Sequence, residues 1–148
     1  MDTGYKVGDV MTKRPIAVTG DTTIQRCAKI MEANHVGALI IQQGKKAQGI
    51  ITEQDIVRRV VAENLRTAET RVADHMAKNL FTVHPDVDIF DAIKIMRDEN
   101  IRHLPVINND EIVGLVTLKD ILKIQPALFE ILVERFEIRE AQEKPFDR

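Results

Sequence analysis

The chain has 148 residues, 44% of them hydrophobic and 30% charged, with a formal net charge of −2 at pH 7. That is enough apolar material for a core, in one domain of ordinary size or two small halves packed together, and it excludes the broad basic field that draws nucleic acid or anionic lipid. Cys27 is the only cysteine, so no intrachain disulfide forms and a reducing compartment is expected.

At the N-terminus, MDTGYKVGDV has neither the basic start nor the apolar stretch of a signal peptide. Apolar runs such as ALII are strand-sized, far short of the roughly 20 residues that span a bilayer. A soluble cytoplasmic protein is expected. The first elements are a short opening helix or turn ending at Met11, then a strand over 15–18 (PIAV). The turn TGDTT follows, with Asp21 as the expected helix N-cap. The next helix carries Ile24, Cys27, Ala28 and Met31 on one face of a 3.6-residue period. Two strands, GALII (37–41) and AQGIIT (47–52), are joined through QQGKK as a hairpin, and a second helix runs over Glu53–Glu63. The polar segment AENLRTAETR (62–71) reads as a linker.

Beyond it the same order returns, displaced by 65 residues without a gap. Val7 meets Val72, Met11 meets Met76, Val18 meets Val83, Asp21 meets Asp86 and Ile24 meets Ile89. Lys29-Ile30-Met31 meets Lys94-Ile95-Met96, Gly49 meets Gly114, Thr52 meets Thr117 and Asp55-Ile56 meets Asp120-Ile121. The second copy has a strand over 80–83 (LFTV), an N-cap at Asp86 and a helix burying Ile89, Ala92, Ile93 and Met96. A hairpin of HLPVI (103–107) and EIVGLVT (111–117) and a helix over Leu118–Lys123 complete it. The fold class is α+β: two β-α-β-β-α repeats packed through their sheets, since neither three-stranded sheet buries much alone. The boundaries are 1–61, a linker 62–71, 72–125, and a C-terminal helix and tail, 126–148. In that last segment Leu128, Ile131 and Leu132 with Phe129, Val133 and Phe136 form a broad apolar stripe. It packs on its own module or makes a dimer contact.

Each repeat closes on Gly-x-x-Thr-x-x-Asp: GIITEQD from Gly49 and GLVTLKD from Gly114. One reading is structural. Thr52 and Thr117 cap helices, Asp55 and Asp120 favour the first turn, and the glycines mark close packing. Against it as a full account, the reciprocal capping box prefers the longer Glu or Gln. The functional reading uses the same geometry. A helix start offers N–H groups to a phosphate, the Thr hydroxyl adds a donor, and an Asp one turn along accepts from a ribose diol.

Two such repeats in register, with RHLPVI (102–107) before the second hairpin, resemble a tandem CBS-domain pair, a Bateman module, over residues 5–125. The resemblance implies pseudo-two-fold symmetry and two clefts between the repeats for adenosine-containing ligands such as AMP, ADP, ATP or S-adenosylmethionine. It also implies pairing of modules into a disc-like homodimer. Asp55 and Asp120 match the ribose-binding acid, and Thr52 and Thr117 the phosphate-side hydroxyl. Ile16, Ala17 and Val18, with Phe81, Thr82 and Val83, match the wall that meets the adenine. Arg102 and His103 match positions where basic residues face phosphates; a surface ion pair and a strand-edge polar residue are their plainer readings. The first repeat has Gly37 and Ala38 there, so the clefts are expected to be inequivalent.

No nucleophile motif, Walker loop or Rossmann glycine fingerprint is present, and the four histidines make no i, i+4 pair or Cys/His cluster. No catalytic or metal site is therefore expected, and no cofactor is required. The repeat-paired methionines and Cys27 read as core. The expectation is a non-catalytic sensor of an adenine nucleotide or S-adenosylmethionine that signals to an unidentified protein target, with no nucleic acid or membrane partner. The alternative is a structural or interaction module whose clefts hold no physiological nucleotide and whose C-terminal helix is the working surface.

Overall fold

A computed structural model of the chain describes residues 2–124; the expected C-terminal helix and tail, 126–148, lie outside the described residues. The first repeat runs α1 (Val7–Val10), β1 (Thr12–Lys13), β2 (Ala17–Val18), α2 (Ile24–Asn34), β3 (Ala38–Gln43), β4 (Lys46–Thr52) and α3 (Glu53–Asp55). The second runs from a 3-10 turn (Val72–Asp74) through α4 (Ile89–Glu99), β5 (His103–Asn108) and β6 (Glu111–Thr117) to α5 (Leu118–Leu122). One sheet has the order β2-β3-β4 and the other β1-β6-β5. The two hairpins share their irregularity: a bulge between Ile41 and Gln42 recurs between Val106 and Ile107.

The strand β3 is apolar over its first four residues, Ala38–Ile41, because both faces are covered there. Leu39 and Ile41 pack into the first repeat's core with Ile24, Cys27, Met31 and Ile51. Ala38 and Ile40 meet Ile50 and Leu115 in a cluster that joins the two sheets. The second core holds Ile89, Ala92, Ile93, Met96, Leu104, Val106, Val116 and Ile121. Burial pushes the Cys27 thiol up to about 11, so it is an inert core residue. Ala28, expected on the buried face, is exposed. Among the described residues no helix is long and apolar enough to cross a membrane.

Four local expectations are corrected. The helix caps are Thr23 and Asp88, not Asp21 and Asp86. The Thr22 and Val87 amides close turns onto the Thr19 and His84 carbonyls, which leaves the two acids in turns, two residues short of the helix. Over 15–18 only Ala17–Val18 is strand. Over 80–83 only Val83 bridges to Val106, because the Leu80 amide folds back onto the Lys78 carbonyl. The helix over Glu53–Glu63 leaves α geometry after Asp55 and continues as a π-helical stretch, Ile56–Val61, with Ala62 N–H bonded to Val57 C=O at 2.9 Å. This turns Val60 fully inward and leaves Val57 and Val61 each 58% exposed.

The largest difference concerns the opening segments, which are exchanged. β1 pairs antiparallel with β6 of the second repeat, Thr12 opposite Leu115 and Lys13 opposite Gly114. Ala77 pairs in the same way with Ile50 of the first repeat. Val7, Val10 and Met11 therefore join the second core, and Val72 and Met76 the first. The linker is part of this device. The first amides of α2, at Ile24 and Gln25, donate to Thr70 C=O at 2.9 Å and Thr67 C=O at 3.0 Å, while Ile89 of α4 donates to Tyr5 C=O at 3.1 Å. Unpaired helix-start amides are costly when buried, and here each set is closed by the segment that precedes the other repeat. Thr3 adds its amide and hydroxyl to the Asp88 carboxylate.

Candidate functional site

The two Gly-x-x-Thr-x-x-Asp segments end β4 and β6 and start α3 and α5. Both form a closed capping box. Thr52 Oγ1 accepts from Asp55 N–H at 3.2 Å, and Asp55 Oδ2 accepts from Thr52 N–H at 3.0 Å. Thr117 and Asp120 make the same pair at 3.2 and 3.0 Å. The shorter Asp thus reaches the cap amide that Glu or Gln was expected to need. The first helical amides are engaged too: Glu53 N–H bonds Gly37 C=O and Leu118 N–H bonds Arg102 C=O, each at 3.0 Å. With two of the opening amides used inside the fold, an anion at either helix start depends more on nearby side chains than on the bare helix end.

The acids differ in their second oxygen. Asp55 Oδ1 lies 3.8 Å from Arg59 Nε, whereas the residue four places after Asp120 is Ile124. The glycines belong to the crossing. A Cβ on Gly49 would sit 2.5 Å from Met76 Sδ and 2.8 Å from the Ala77 carbonyl oxygen. On Gly114 it would sit 2.5 Å from Met11 Sδ and 3.0 Å from the Thr12 oxygen. These positions are glycine because the exchanged segments lie against them, which the repeat-paired methionines signalled without saying which sheet they cross.

The fold brings the helix starts together with the residues that differ between repeats. His103 opens β5 opposite Thr117, as Ala38 opens β3 opposite Thr52. Ala38 lies in the inter-sheet cluster. His103, half-buried on the equivalent face, lies within electrostatic reach of Glu53 and Asp55 of the first repeat as well as Arg102 and Asp120 of the second. Burial holds its pKa below the usual value. Glu53 opposes this shift, Arg102 adds to it, and Asp120 and Asp55 oppose it. Stability that depends on the neutral imidazole is therefore complete above the unfolded pKa of about 6.5 and is lost as pH falls toward the lower folded value. His103→Gln is expected to flatten the fall in urea midpoint between pH 7 and 5; an unchanged slope would assign that fall to other groups.

Of the expected adenine wall, Ile16 and Val18 pack on the first core and Ala17 in the inter-sheet cluster. Val83 is buried, Thr82 exposed and Phe81 44% exposed. Val83 has little surface to give a ligand, leaving Phe81 and Thr82 as the accessible part of the second wall. Among the described residues no group of three or more His, Cys, Asp or Glu side chains is placed to hold a metal ion.

The CBS domain family is matched twice, over residues 7–62 and 72–127. The uncharacterized protein MK0525 of Methanopyrus kandleri is 33% identical over 140 residues, spanning 93% of this chain and 70% of its own. An uncharacterized conserved protein of Pyrococcus horikoshii superposes with a TM-score of 0.77 at 28% identity, covering 83% of this chain and 93% of that one. The CBS domain pair of protein MJ0100, solved with 5′-methylthioadenosine and S-adenosyl-L-methionine, superposes with a TM-score of 0.74 at 30% identity, covering 80% of this chain and 98% of that one.

Proposed function

The chain belongs to the CBS-domain family as a tandem pair of domains, and from that premise we propose that it is a non-catalytic regulatory module binding an adenosine-containing ligand between its repeats. The observation that carries this reading is the duplicated Thr-Asp helix start: Thr52 with Asp55, Thr117 with Asp120, in one geometry. Each carboxylate keeps acceptor capacity beyond its cap bond, which suits a ribose diol. The bound form of the MJ0100 pair supports the ligand class. Arg102 and His103 are the residues proposed to face a phosphate, with Arg suited to bidentate contact. Ligand binding between repeats joined through exchanged segments would alter their relative angle, and a protein target would read that change.

The whole chain should be melted against AMP, ADP, ATP, S-adenosylmethionine and NADH. A ligand that binds the folded state at a hundredfold excess over Kd adds about 2.7 kcal/mol, which is roughly 8 °C for a chain of this size. At least one member should give a shift that grows with concentration. No shift from any member at millimolar levels would favour the competing reading, an interaction or homodimer module without a physiological nucleotide. That reading has its own support in the exposed Val57, Val61 and Leu65.

A further inference from the structure

The N-terminal arm, residues 3–13, rests on the second repeat. Val7 N–H bonds Val87 C=O at 2.8 Å, Gly8 N–H bonds Pro85 C=O at 2.9 Å, and Tyr5 C=O accepts from Ile89 N–H at 3.1 Å. Thr3 is held by the Asp88 carboxylate, and Thr12 and Lys13 pair with Leu115 and Gly114. Val7 is fully buried in the second core, with Val10 and Met11 packed against it. Ile16 already packs on the first core, so Arg14-Pro15 is the whole connection between the arm and the first repeat. Arg14 is exposed and has a φ of 55°. That left-handed backbone is costly for a residue with a Cβ, and a following proline favours extended geometry instead. His35 and Asn100 share the positive φ as the residues that end α2 and α4, whereas Arg14 ends no helix. Its repeat equivalent, Asn79, has no positive φ. The chain is bent at one strained residue to lay the arm on its own second repeat.

We propose that this arm is exchangeable: Arg14 relaxes to extended backbone, and the arm docks on the second repeat of another copy of the chain, whose own arm docks in return. A second copy is the partner that the contacts specify. Its second repeat offers the same Pro85 and Val87 carbonyls, the same Asp88 carboxylate, the same β6 edge and the same core site for Val7. The exchange conserves the arm's contacts and closes on itself, since each copy gives one arm and takes one. What differs is the hinge, strained in the closed chain and relaxed in the pair, set against the entropy of bringing two chains together. Short connections under strain invite such exchange. The reciprocal crossing at Ala77 lacks this freedom, because it lies between the linker, tied to α2 at Thr67 and Thr70, and the second repeat. The edge strand β6 runs directly into Thr117 and α5, so exchanged copies are joined at the strand that carries the second Thr-Asp helix start.

The test is disulfide trapping in the whole chain. Thr12→Cys and Leu115→Cys proteins are mixed in equal amounts, concentrated and oxidised. Cys27 is buried, with its thiol pushed up to about 11, and does not compete. Residues 12 and 115 are cross-strand partners, so a bond between the two proteins forms where the arm of one lies on β6 of the other. The linked pair should be severalfold more abundant than that from Thr12→Cys mixed with Lys45→Cys, an exposed hairpin-turn site that reports chance collision. Arg14→Gly removes the strain, because glycine adopts this φ freely. It should weaken the wild-type dimer measured by sedimentation roughly 25-fold, about fivefold for each of the two hinges, and lower the trapped yield with it. A dimer built on any other surface is indifferent to Arg14. A trapped yield no higher than the Lys45→Cys control overturns the proposal, as does a dimer unchanged or strengthened by Arg14→Gly. Should Leu115→Cys fail to fold, sedimentation of the wild type and Arg14→Gly decides alone: equal dissociation constants, or a wild type that stays monomeric at the highest concentration, overturn it.

Discussion

Gly49→Ala is expected to lower the unfolding free energy by about 2–3 kcal/mol, the upper part of the range for overfilling a packed interior, and Gly114→Ala by less. The two positions are equivalent by repeat, and both face a methionine sulfur that can move. They differ in the second contact. At Gly49 the new Cβ would lie 2.8 Å from the Ala77 carbonyl oxygen, against 3.0 Å from that of Thr12 at Gly114. Backbone yields less than a side chain, and Ala77 is tied to Ile50 by hydrogen bonds in both directions, 3.1 and 2.9 Å. Urea unfolding followed by circular dichroism reads the difference, since the chain has no Trp. Equal, small losses at both positions would mean that the exchanged segments give way without cost and that the glycines have another purpose.

Asp120→Ala is expected to weaken whichever panel ligand binds by roughly 10- to 100-fold, the scale of hydrogen bonds to a charged acceptor. It should also cost about 1 kcal/mol of stability through the lost cap bond. Asp55→Ala should weaken binding less, because Arg59 already shares that carboxylate at 3.8 Å. Thr117→Ala, read with adenosine, which has no phosphate for the Thr117 hydroxyl to meet, separates the two roles of the motif, as it opens the same capping box and leaves the carboxylate in place. Affinity that follows Asp120 and stability that follows both residues would assign the site to the acid. Stability loss with affinity intact would reduce Asp120 to a cap.

Much of this was legible in the sequence, for a physical reason. The 65-residue repeat, the faces of α2 and α4 and both hairpins are written in local periodicity, and Ile89, Ala92, Ile93 and Met96 are buried as their spacing requires. What could not be read was pairing at long range. Nothing near Thr12 states that its partner is Leu115 rather than a residue of its own repeat. The caps were misplaced because Asp21 and Asp86 suit a turn as well as a helix start, and only the backbone turns at Thr22 and Val87 decide between them. Glu53 and Leu118 looked like free variation in the first helical turn. Only the fold shows that the Glu53 carboxylate lies over Gly37, a residue 16 places earlier.

The exchange of opening segments also sets the order in which the chain can assemble as it is made. The amides of Val7 and Gly8, among the first residues to be synthesised, have no backbone partner until residues 85–87 exist, and Thr12 and Lys13 have none until β6, near residue 115. The first repeat in turn lacks its closing strand until Ala77 has emerged. During translation the early segment must wait in solvent while about a hundred residues follow it, and closing so distant a contact slows folding. A ribosome-bound fragment ending at the linker would hold the first repeat without Val72 and Met76 in its core, with an unused N-terminal arm beside it. Stalled chains of increasing length should therefore gain protease resistance in two steps, one once Ala77 is exposed and a later one, which also protects residues 7–13, once β6 is exposed.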